Sequence, residues 1–379
     1  MWTGIFILSS YIIVKGEHGS LVAMAGEGML KRGSKFFAYY SSEQERPLKG
    51  ISWLFNGWKN GSYLYRMEAE EAFVFEEDED TQKLILEYEE GNILPQIPFI
   101  HGESYYEETT EEAFVEAENK NKKLIEKLKK TKDTDFLLKN FYIVDSTTSV
   151  DKKLFQVKTL LEKDFTIQTK EEPQILIFHT HGGSERFSDS KEGKKEDSVV
   201  GVGRVLAKEL EELGYQVIHD ETEYDKMNGA IDRNKAYNQS LEGVKKTLKK
   251  YPSIQVIIDL HRDGVSGTKK RVTKINGKAT ATLMMFNGLS RSKSGEIDYL
   301  KNNNLQGNLA FSLQLRLKAM ELYPTLTTTN YLKGYRYNMH LCERFLLIEL
   351  GNQNNTVEEA KNAMEPLARV LAKVLQGEK

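Results

Sequence analysis

Two histidines, two glycines and a carboxylate follow a short apolar segment near the middle of the chain. The segment is Ile175–Phe178, and the residues after it read His179-Thr180-His181-Gly182-Gly183-Ser184-Glu185. Such a run is typical of a buried strand, and open α/β sheets place ligand sites at the carboxyl ends of their strands. Imidazole and carboxylate are zinc ligands in sites that keep one position for water. The alternative is that one histidine hydrogen-bonds within a loop and that Glu185 is solvated.

Two further apolar runs carry polar residues at their carboxyl ends. Residues 254–260 are followed by His261-Arg262-Asp263, and residues 344–350 contain Glu349. If the strands are parallel, their polar ends meet at one edge of the sheet. A lone charge such as Glu349 is costly to bury unless it is paired or functional. The three runs together predict one composite, hydrolytic zinc site.

The residue types suggest a role for each member of this site. We predict His181, Glu185 and His261 as zinc ligands, with Glu349 as the general base and later the general acid. Alternation along an extended segment puts His179 on the same face as His181. Either histidine can therefore be the first ligand, while the other orients substrate or holds a hydrogen bond to a ligand.

Neighbouring residues offer supporting roles and exclude other chemistries. Arg262 is a candidate for binding a substrate carboxylate, and Asp259 and Asp263 are candidates to orient His261. The single cysteine, Cys342, excludes an intrachain disulfide and a thiolate-rich zinc cluster. Ser184 lacks the Gly-x-Ser-x-Gly frame of a serine nucleophile.

The pattern from Phe141 onward alternates apolar runs with amphipathic helices. It predicts an α/β fold with a mostly parallel twisted sheet flanked by helices. Helices are expected at residues 199–213, 241–251, 305–323 and 356–375, the last with a capping box at Thr356 and Glu359. Asn276-Gly277 predicts a hairpin between strands at residues 271–275 and 280–286.

Composition and charge divide the 379 residues into three parts. Residues 1–14 are apolar but too short for a spanning helix, so they are either a truncated anchor or signal-like segment, or a buried strand or helix of a soluble domain. Residues 15–140 form a charged region and linker, and residues 141–379 form the catalytic domain. With 53 basic and 56 acidic residues the net charge is -3, which argues against a nucleic-acid partner.

The ordered motifs of the second half resemble the stage II sporulation protein P family. The resemblance runs from about Phe141 to Leu375 and rests on Asp145-Ser146-Thr147-Thr148-Ser149, His179-Thr180-His181 with Ser184-Glu185, Asp259-Leu260-His261-Arg262-Asp263, Glu349-Leu350-Gly351 and Asn354-Asn355-Thr356. One departure is that this chain has Gly351-Asn352 where the family commonly has Gly-Gly after the last strand.

The resemblance implies a fold similar to the zinc N-acetylmuramoyl-L-alanine amidases. It implies peptidoglycan hydrolysis, namely cleavage of the amide between muramic acid and the stem peptide, with endopeptidase action on cross-links. It also implies action outside the cytoplasmic membrane at the sporulation septum during forespore engulfment, with an N-terminal membrane anchor and the sporulation proteins D and M as partners.

Two other functions remain open from the sequence. One is a zinc peptidase or deacylase that acts on a soluble amide substrate. The other is a non-catalytic, wall-binding scaffold, which would keep the fold without needing Glu349. Loss of activity on substitution of Glu349 is expected only for a hydrolase.

Overall fold

The computed structural model describes residues 111–378, so the anchor-like segment 1–14 and the acidic run before residue 111 lie outside the described residues. The helices are α1 Glu111–Thr131, α2 Thr134–Phe141, α3 Val157–Glu162, α4 Val199–Glu212, α5 Ala236–Lys250, α6 Leu305–Leu322, α7 Val357–Asn362 and α8 Met364–Leu375. The strands are β1 Tyr142–Val144, β2 Ile175–Phe178, β3 Val217–His219, β4 Lys226–Met227, β5 Ala230–Ile231, β6 Val256–Asp263, β7 Val272–Ile275, β8 Lys278–Ala281, β9 Leu283–Gly288, β10 Arg291–Ser292, β11 Gly295–Glu296, β12 Asn330–Lys333 and β13 Arg344–Asn352.

Seven strands form one mixed sheet in the order β1-β12-β9-β13-β6-β2-β3. Every neighbouring pair is parallel except β9 and β13, which are antiparallel. The prediction of a mostly parallel α/β sheet is therefore confirmed. The parallel trio β2, β6 and β13 brings the three polar strand ends to one edge, as the sequence predicted.

Helices cover both faces of the sheet. Alternate residues of the central strands are buried on opposite sides, which explains why their sequences are continuously apolar. One face packs against α4, α6 and α8 and includes Ile175, Ile177, Val256, Ile258, Leu346 and Ile348. The other face includes Leu176, Phe178, Ile257, Phe345 and Leu347, together with Tyr237 and Val244 of α5.

Helix α6 is buried along almost its whole length because it lies between the sheet and the helices α1, α3 and α8. Two of its polar side chains donate to backbone carbonyls: Gln314 Nε2 to Leu160 O (2.8 Å), and Arg316 Nη1 to Phe141 O (2.7 Å). None of the helices between residues 111 and 378 is long and apolar enough to cross a membrane.

Three predicted elements have different bounds in the structure. Strand β6 continues through Asp263, so His261 lies within it because β13 pairs with it to that point. The segment predicted as one strand after the hairpin is two, β8 and β9, because the chain passes at Thr282 from the hairpin to the main sheet. The closing helix is split into α7 and α8, since Pro366 has no N–H to donate to Asn362 O.

The predicted capping box at the start of α7 is confirmed. Glu359 N donates to Thr356 Oγ1 (3.1 Å), and Thr356 N donates to Glu359 Oε2 (2.9 Å). The predicted hairpin is also present, with positive φ angles at Asn276 (49°) and Gly277 (80°). Helix α7 therefore has a fixed start, with its N-cap four residues beyond the end of β13.

Replacement of Thr356 by alanine removes the hydroxyl that accepts from Glu359 N. We expect Thr356→Ala to lower the free energy of unfolding by about 1 kcal/mol, measured by urea denaturation of the full chain. Thr356→Ser keeps the hydroxyl and should stay within about 0.5 kcal/mol of the parent. Equal unfolding midpoints for the alanine variant and the parent would contradict this role.

Candidate metal centre

A tight turn follows β2 and carries the first group of candidate ligands. Ser184 N and Glu185 N both donate to His181 O, at 3.2 and 3.0 Å, and Gly182 N donates to His179 O at 3.3 Å. This turn brings the backbone of Glu185 back to His181, four positions earlier in the sequence. Both side chains are buried.

A buried carboxylate that the sequence analysis did not identify holds this turn in place. Asp225 accepts hydrogen bonds from Gly183 N (2.7 Å), Ser184 N (3.0 Å) and Ser184 Oγ (2.5 Å). Its Oδ2 also lies 3.9 Å from Nδ1 of His181. Asp225 thus fixes the backbone between the two candidate ligands from the loop that follows β3.

His261 of β6 lies between two carboxylates. Its Nδ1 is 3.4 Å from Glu185 Oε1, and its Nε2 is 2.8 Å from Asp259 Oδ1 in an ion-pair contact whose angle is not that of a hydrogen bond. Burial alone lowers the pKa of His261, but Asp259 and Glu185 raise it well above its ordinary value. Although burial raises the pKa of Glu185, His261 and then Arg262 and Arg233 lower it below its ordinary value.

Asp259 also fixes the residue between the two histidines of the turn. It is fully buried and accepts from Thr180 N (2.9 Å) and from Thr180 Oγ1 (2.7 Å). The register agrees with this contact, because Asp259 is the β6 partner of Phe178 at the end of β2. One carboxylate therefore contacts both ligand-bearing segments.

His181 reaches the site from the turn. Its ring lies edge-on to the His261 ring, with centroids 5.4 Å apart, and edge-on to Tyr237 of α5 at 5.5 Å. Its Nδ1 is buried and has no hydrogen-bond partner among residues 111–378. Burial, followed by the charges of Arg233 and His261, lowers the pKa of His181 well below its ordinary value.

Glu349 of β13 is the register partner of His261 on β6, so both side chains lie on the same face of the sheet. Its Oε2 is buried without a hydrogen-bond partner in the described part of the chain. Burial, and then the negative charge of Asp263, raise its pKa to about 8. Glu349 is therefore a half-buried carboxylate near the His261–Glu185 pair, and its buried Oε2 has no hydrogen bond to another described residue.

The backbone beyond Glu349 needs glycine at one position. Gly351 has a φ of +55°, and a Cβ there would lie 2.5 Å from Asn355 Oδ1. The next residue is Asn352, at the end of β13. It is buried and donates from Nδ2 to Lys269 O (3.0 Å), so it ties the end of β13 to the loop that follows β6.

His179 points away from this group. Its Nδ1 contacts Leu260 O at 2.8 Å, and because a carbonyl only accepts, Nδ1 donates and Nε2 can accept from His219 Nε2 at 2.9 Å. Burial, and then His219, lower the pKa of His179 to about 3, while burial lowers that of His219 to about 4. Both rings lie beneath α4, where a Cβ on Gly203 would approach them within 2.5 and 2.7 Å.

The remaining predicted residues surround the turn. Arg262 donates from its backbone N to Glu185 Oε2 (3.0 Å) and from its guanidinium to Arg186 O (3.0 Å) and Asp263 O (3.1 Å). Asp263 does not contact His261; it forms an ion pair with Arg271 at 2.6 Å.

Three residues of the site were missed by the sequence analysis: Asp225, Arg233 and Tyr237. Arg233 donates to Ser184 Oγ (2.7 Å) and lies 3.7 Å from Glu185 Oε1. Asp225 and Arg233 belong to a connection whose strands are only two residues long, so no periodic pattern marks them. Tyr237 lies at the start of α5, where a buried aromatic residue is indistinguishable from an ordinary core residue.

The donor types are those of a zinc site, whereas the side-chain positions match such a site only in part. Ligand atoms about 2.1 Å from a tetrahedral zinc ion are about 3.3 Å apart, close to the 3.4 Å between His261 Nδ1 and Glu185 Oε1. The unpartnered Nδ1 of His181 shows that this ring is not committed elsewhere in the described residues. Between residues 111 and 378, however, no three His, Cys, Asp or Glu side chains are already spaced to hold a metal ion.

The fold and this edge of the sheet define an α/β protein with a buried imidazole and carboxylate site. The sequence profile of the stage II sporulation protein P family matches residues 84–372, and the chain belongs to this family. The stage II sporulation protein P of Bacillus subtilis (strain 168) is 28% identical over 230 residues, which are 56% of this chain and 54% of that protein. The chain thus spans about half the length of this curated relative.

Solved structures with a similar chain course include several N-acetylmuramoyl-L-alanine amidases. That of Nostoc punctiforme is 13% identical, with a TM-score of 0.32, over 54% of this chain and 94% of its own. That of Clostridium difficile 630 is 13% identical, with a TM-score of 0.34, over 55% and 97%. That of Mycobacterium smegmatis is 11% identical, with a TM-score of 0.34, over 57% and 98%. The family assignment rests on the sequence match.

The contact of Gly203 with the His179–His219 pair can be tested by adding one methyl group. Alanine normally stabilises a helix interior relative to glycine by up to about 1 kcal/mol. We expect Gly203→Ala instead to destabilise the chain by about 2 kcal/mol, because its Cβ overlaps both rings. The free energy of unfolding, measured with urea, gives the sign.

A second background shows whether the rings cause the loss. In a His219→Ala chain, His179 can move into the space that His219 leaves, so Gly203→Ala should cost at least about 1 kcal/mol less than in the parent. An equal cost in both backgrounds would place the strain elsewhere in α4.

Proposed function

We propose that this chain is a zinc-dependent peptidoglycan hydrolase. In this proposal it cleaves the amide between muramic acid and the stem peptide, and also cross-links between stem peptides, during forespore engulfment. Two lines of support are the family membership and the convergence of His181, Glu185, His261 and Glu349 at one sheet edge. The observation that carries the proposal is the 3.4 Å contact of His261 Nδ1 with Glu185 Oε1, beside the unpartnered Glu349 carboxylate.

The residues that would hold zinc are His181, Glu185 and His261. A zinc ion in such a site lowers the pKa of a bound water and polarises a carbonyl oxygen. His181 is preferred to His179 as the first ligand, because both ring nitrogens of His179 already contact Leu260 O and His219. The turn held by Asp225 keeps His181 and Glu185 in place for this role.

Glu349 is the proposed proton carrier. As general base it takes a proton from the attacking water, and as general acid it gives a proton to the leaving amine nitrogen. Its buried Oε2 has no competing donor within residues 111–378, so the carboxylate is available for a water or a substrate N–H. Arg262, whose guanidinium contacts only backbone carbonyls in the contacts described above, is the proposed group for a substrate carboxylate.

The cellular setting belongs to the same proposal and rests on the family. The protein would act outside the cytoplasmic membrane at the sporulation septum, with residues 1–14 contributing to an anchor. The sporulation proteins D and M would be its partners, and peptidoglycan its substrate.

Metal content separates the two histidines of the turn. We expect the purified full chain to bind one zinc ion, and we expect His181→Ala and His261→Ala to lose it because each removes a ligand. His179→Ala should retain zinc. Metal is measured by elemental analysis after dialysis against a weak chelator. Equal zinc retention in the His179 and His181 variants would overturn the proposed ligand set.

Glu349 distinguishes a hydrolase from a scaffold. Glu349→Gln keeps the size of the side chain but cannot accept the proton, so the rate should fall by roughly 100-fold or more with zinc still bound. The measurement is digestion of purified sacculi, with the released muropeptides identified by mass. The matched control is Asp298→Asn, because Asp298 is exposed and lies far from Glu349 in the sequence.

The products decide between the remaining alternatives. A free stem peptide together with unsubstituted glycan identifies the amidase, and a shortened cross-link identifies the endopeptidase. Intact sacculi together with cleavage of a small acyl amino acid would favour a peptidase or deacylase for soluble substrates. If Glu349→Gln and the parent release the same products at the same rate, the general-base role is wrong.

A further inference from the structure

Each of the two candidate histidine ligands has a fully buried aspartate beside it. Asp259 lies on the side of the His261 ring away from Glu185, and Asp225 lies beside the turn that carries His181. Asp259 is 2.8 Å from Nε2 of His261, and Asp225 is 3.9 Å from Nδ1 of His181. Neither residue has a catalytic role in the proposed reaction. Metal-bound histidines usually direct their second ring nitrogen at a carboxylate or carbonyl, which fixes the tautomer and ring orientation.

We propose that Asp259 and Asp225 are positioning residues that decide which ring nitrogen of each histidine binds the metal. His261 binds through Nδ1 and His181 binds through Nε2. This inference rests on the proposed function, because it requires that the two histidines are ligands. It adds that the two histidines bind through different ring nitrogens, which neither the motif nor the ligand types specify.

The geometry of His261 supports its assignment. The two nitrogens of an imidazole point in different directions, and here each direction has one carboxylate: Glu185 at Nδ1 and Asp259 at Nε2. The 3.4 Å contact is longer than a normal charge-assisted hydrogen bond and matches two ligands of one ion, whereas 2.8 Å is too short for two ligands. In the structure the Nδ1 contact is a long hydrogen bond, and Nε2 faces Asp259 without the angle of one. With a metal bound, Glu185 is thus the fellow ligand, and Asp259 is the carboxylate behind the ring that accepts from Nε2–H after a small rotation of the ring.

Asp259 cannot readily exchange these roles. Its two oxygens already accept from Thr180 N and Thr180 Oγ1, and it is fully buried beneath the turn. Moving it toward a metal would leave the Thr180 N–H buried and unpaired, which costs about 1–3 kcal/mol. Asp259 therefore stays behind His261 and fixes its orientation.

The assignment of His181 follows from the position of Asp225. Asp225 is held by three hydrogen bonds from Gly183 and Ser184, and its Oδ2 is on the Nδ1 side of the ring. That nitrogen has no other partner between residues 111 and 378. A small ring movement brings Nδ1–H to Asp225 and leaves Nε2 for the metal.

Nuclear magnetic resonance of the parent chain tests the assignment without any substitution. The chain has seven histidines, and long-range proton–nitrogen spectra of the ¹⁵N-histidine-labelled protein, recorded with and without Zn²⁺, show which ring nitrogen of each changes. We expect two rings to respond, one bound through Nδ1 and the other through Nε2. Asp259→Asn should perturb the Nδ1-bound ring, which identifies it as His261. If both rings bind through the same kind of nitrogen, this inference is wrong and the proposed metal site still stands.

Zinc affinity provides the second readout. In a competition titration with a chromophoric chelator, Asp259→Asn and Asp225→Asn should each weaken Zn²⁺ binding by about 10- to 100-fold, whereas Asp298→Asn should leave it unchanged. Unchanged affinity in both buried variants would overturn the positioning role. If no ring in the parent chain responds to Zn²⁺, the metal site itself is wrong, a result distinct from two rings bound through the same nitrogen.

Discussion

A single buried carboxylate, Asp259, joins the two segments that carry the candidate ligands. Through Thr180 it fixes the chain where β2 ends, and through its contact with Nε2 it fixes the ring of His261 on β6. Burying a carboxylate is costly unless its oxygens accept hydrogen bonds or lie next to a positive charge. Asp259 therefore needs both contacts, the one with Thr180 and the one with His261. The distance from the turn to β6 is therefore set by chemistry within the site as well as by sheet hydrogen bonds.

The register of the parallel strands is what makes this contact possible. Phe178 on β2 is opposite Asp259 on β6, and His261 on β6 is opposite Glu349 on β13. Because side chains alternate between the two faces, a shift of one residue in either pair would move its polar residue to the other face. The apolar residues of these strands fill both cores, which makes such a shift very costly.

The sequence was sufficient for the elements and for the residues that meet at the sheet edge, but not for their orientations. The amphipathic period of α4 and the apolar run of β13 can be recognised from the sequence alone, and the ends of parallel strands meet at one edge by topology. The shared face expected for His179 and His181 is not observed. Alternation applies to extended backbone, and the strand ends at Phe178, so the turn directs His179 toward α4 and His181 toward α5. Asp225 and Arg233 were not predicted because a two-residue strand has no pattern and their contacts are tertiary.

The two glutamates of the site, Glu185 and Glu349, have different surroundings, and this difference argues for different roles. Glu185 contacts His261, the backbone N–H of Arg262 and the guanidinium of Arg233, so its charge is compensated and its pKa falls despite burial. Glu349 has the buried, unpartnered Oε2 and the nearby Asp263, and its pKa rises to about 8. A carboxylate that stays ionised is suited to hold a cation, whereas one that gains and loses a proton near neutral pH is suited to transfer it. The surroundings thus divide the two roles between residues of the same type.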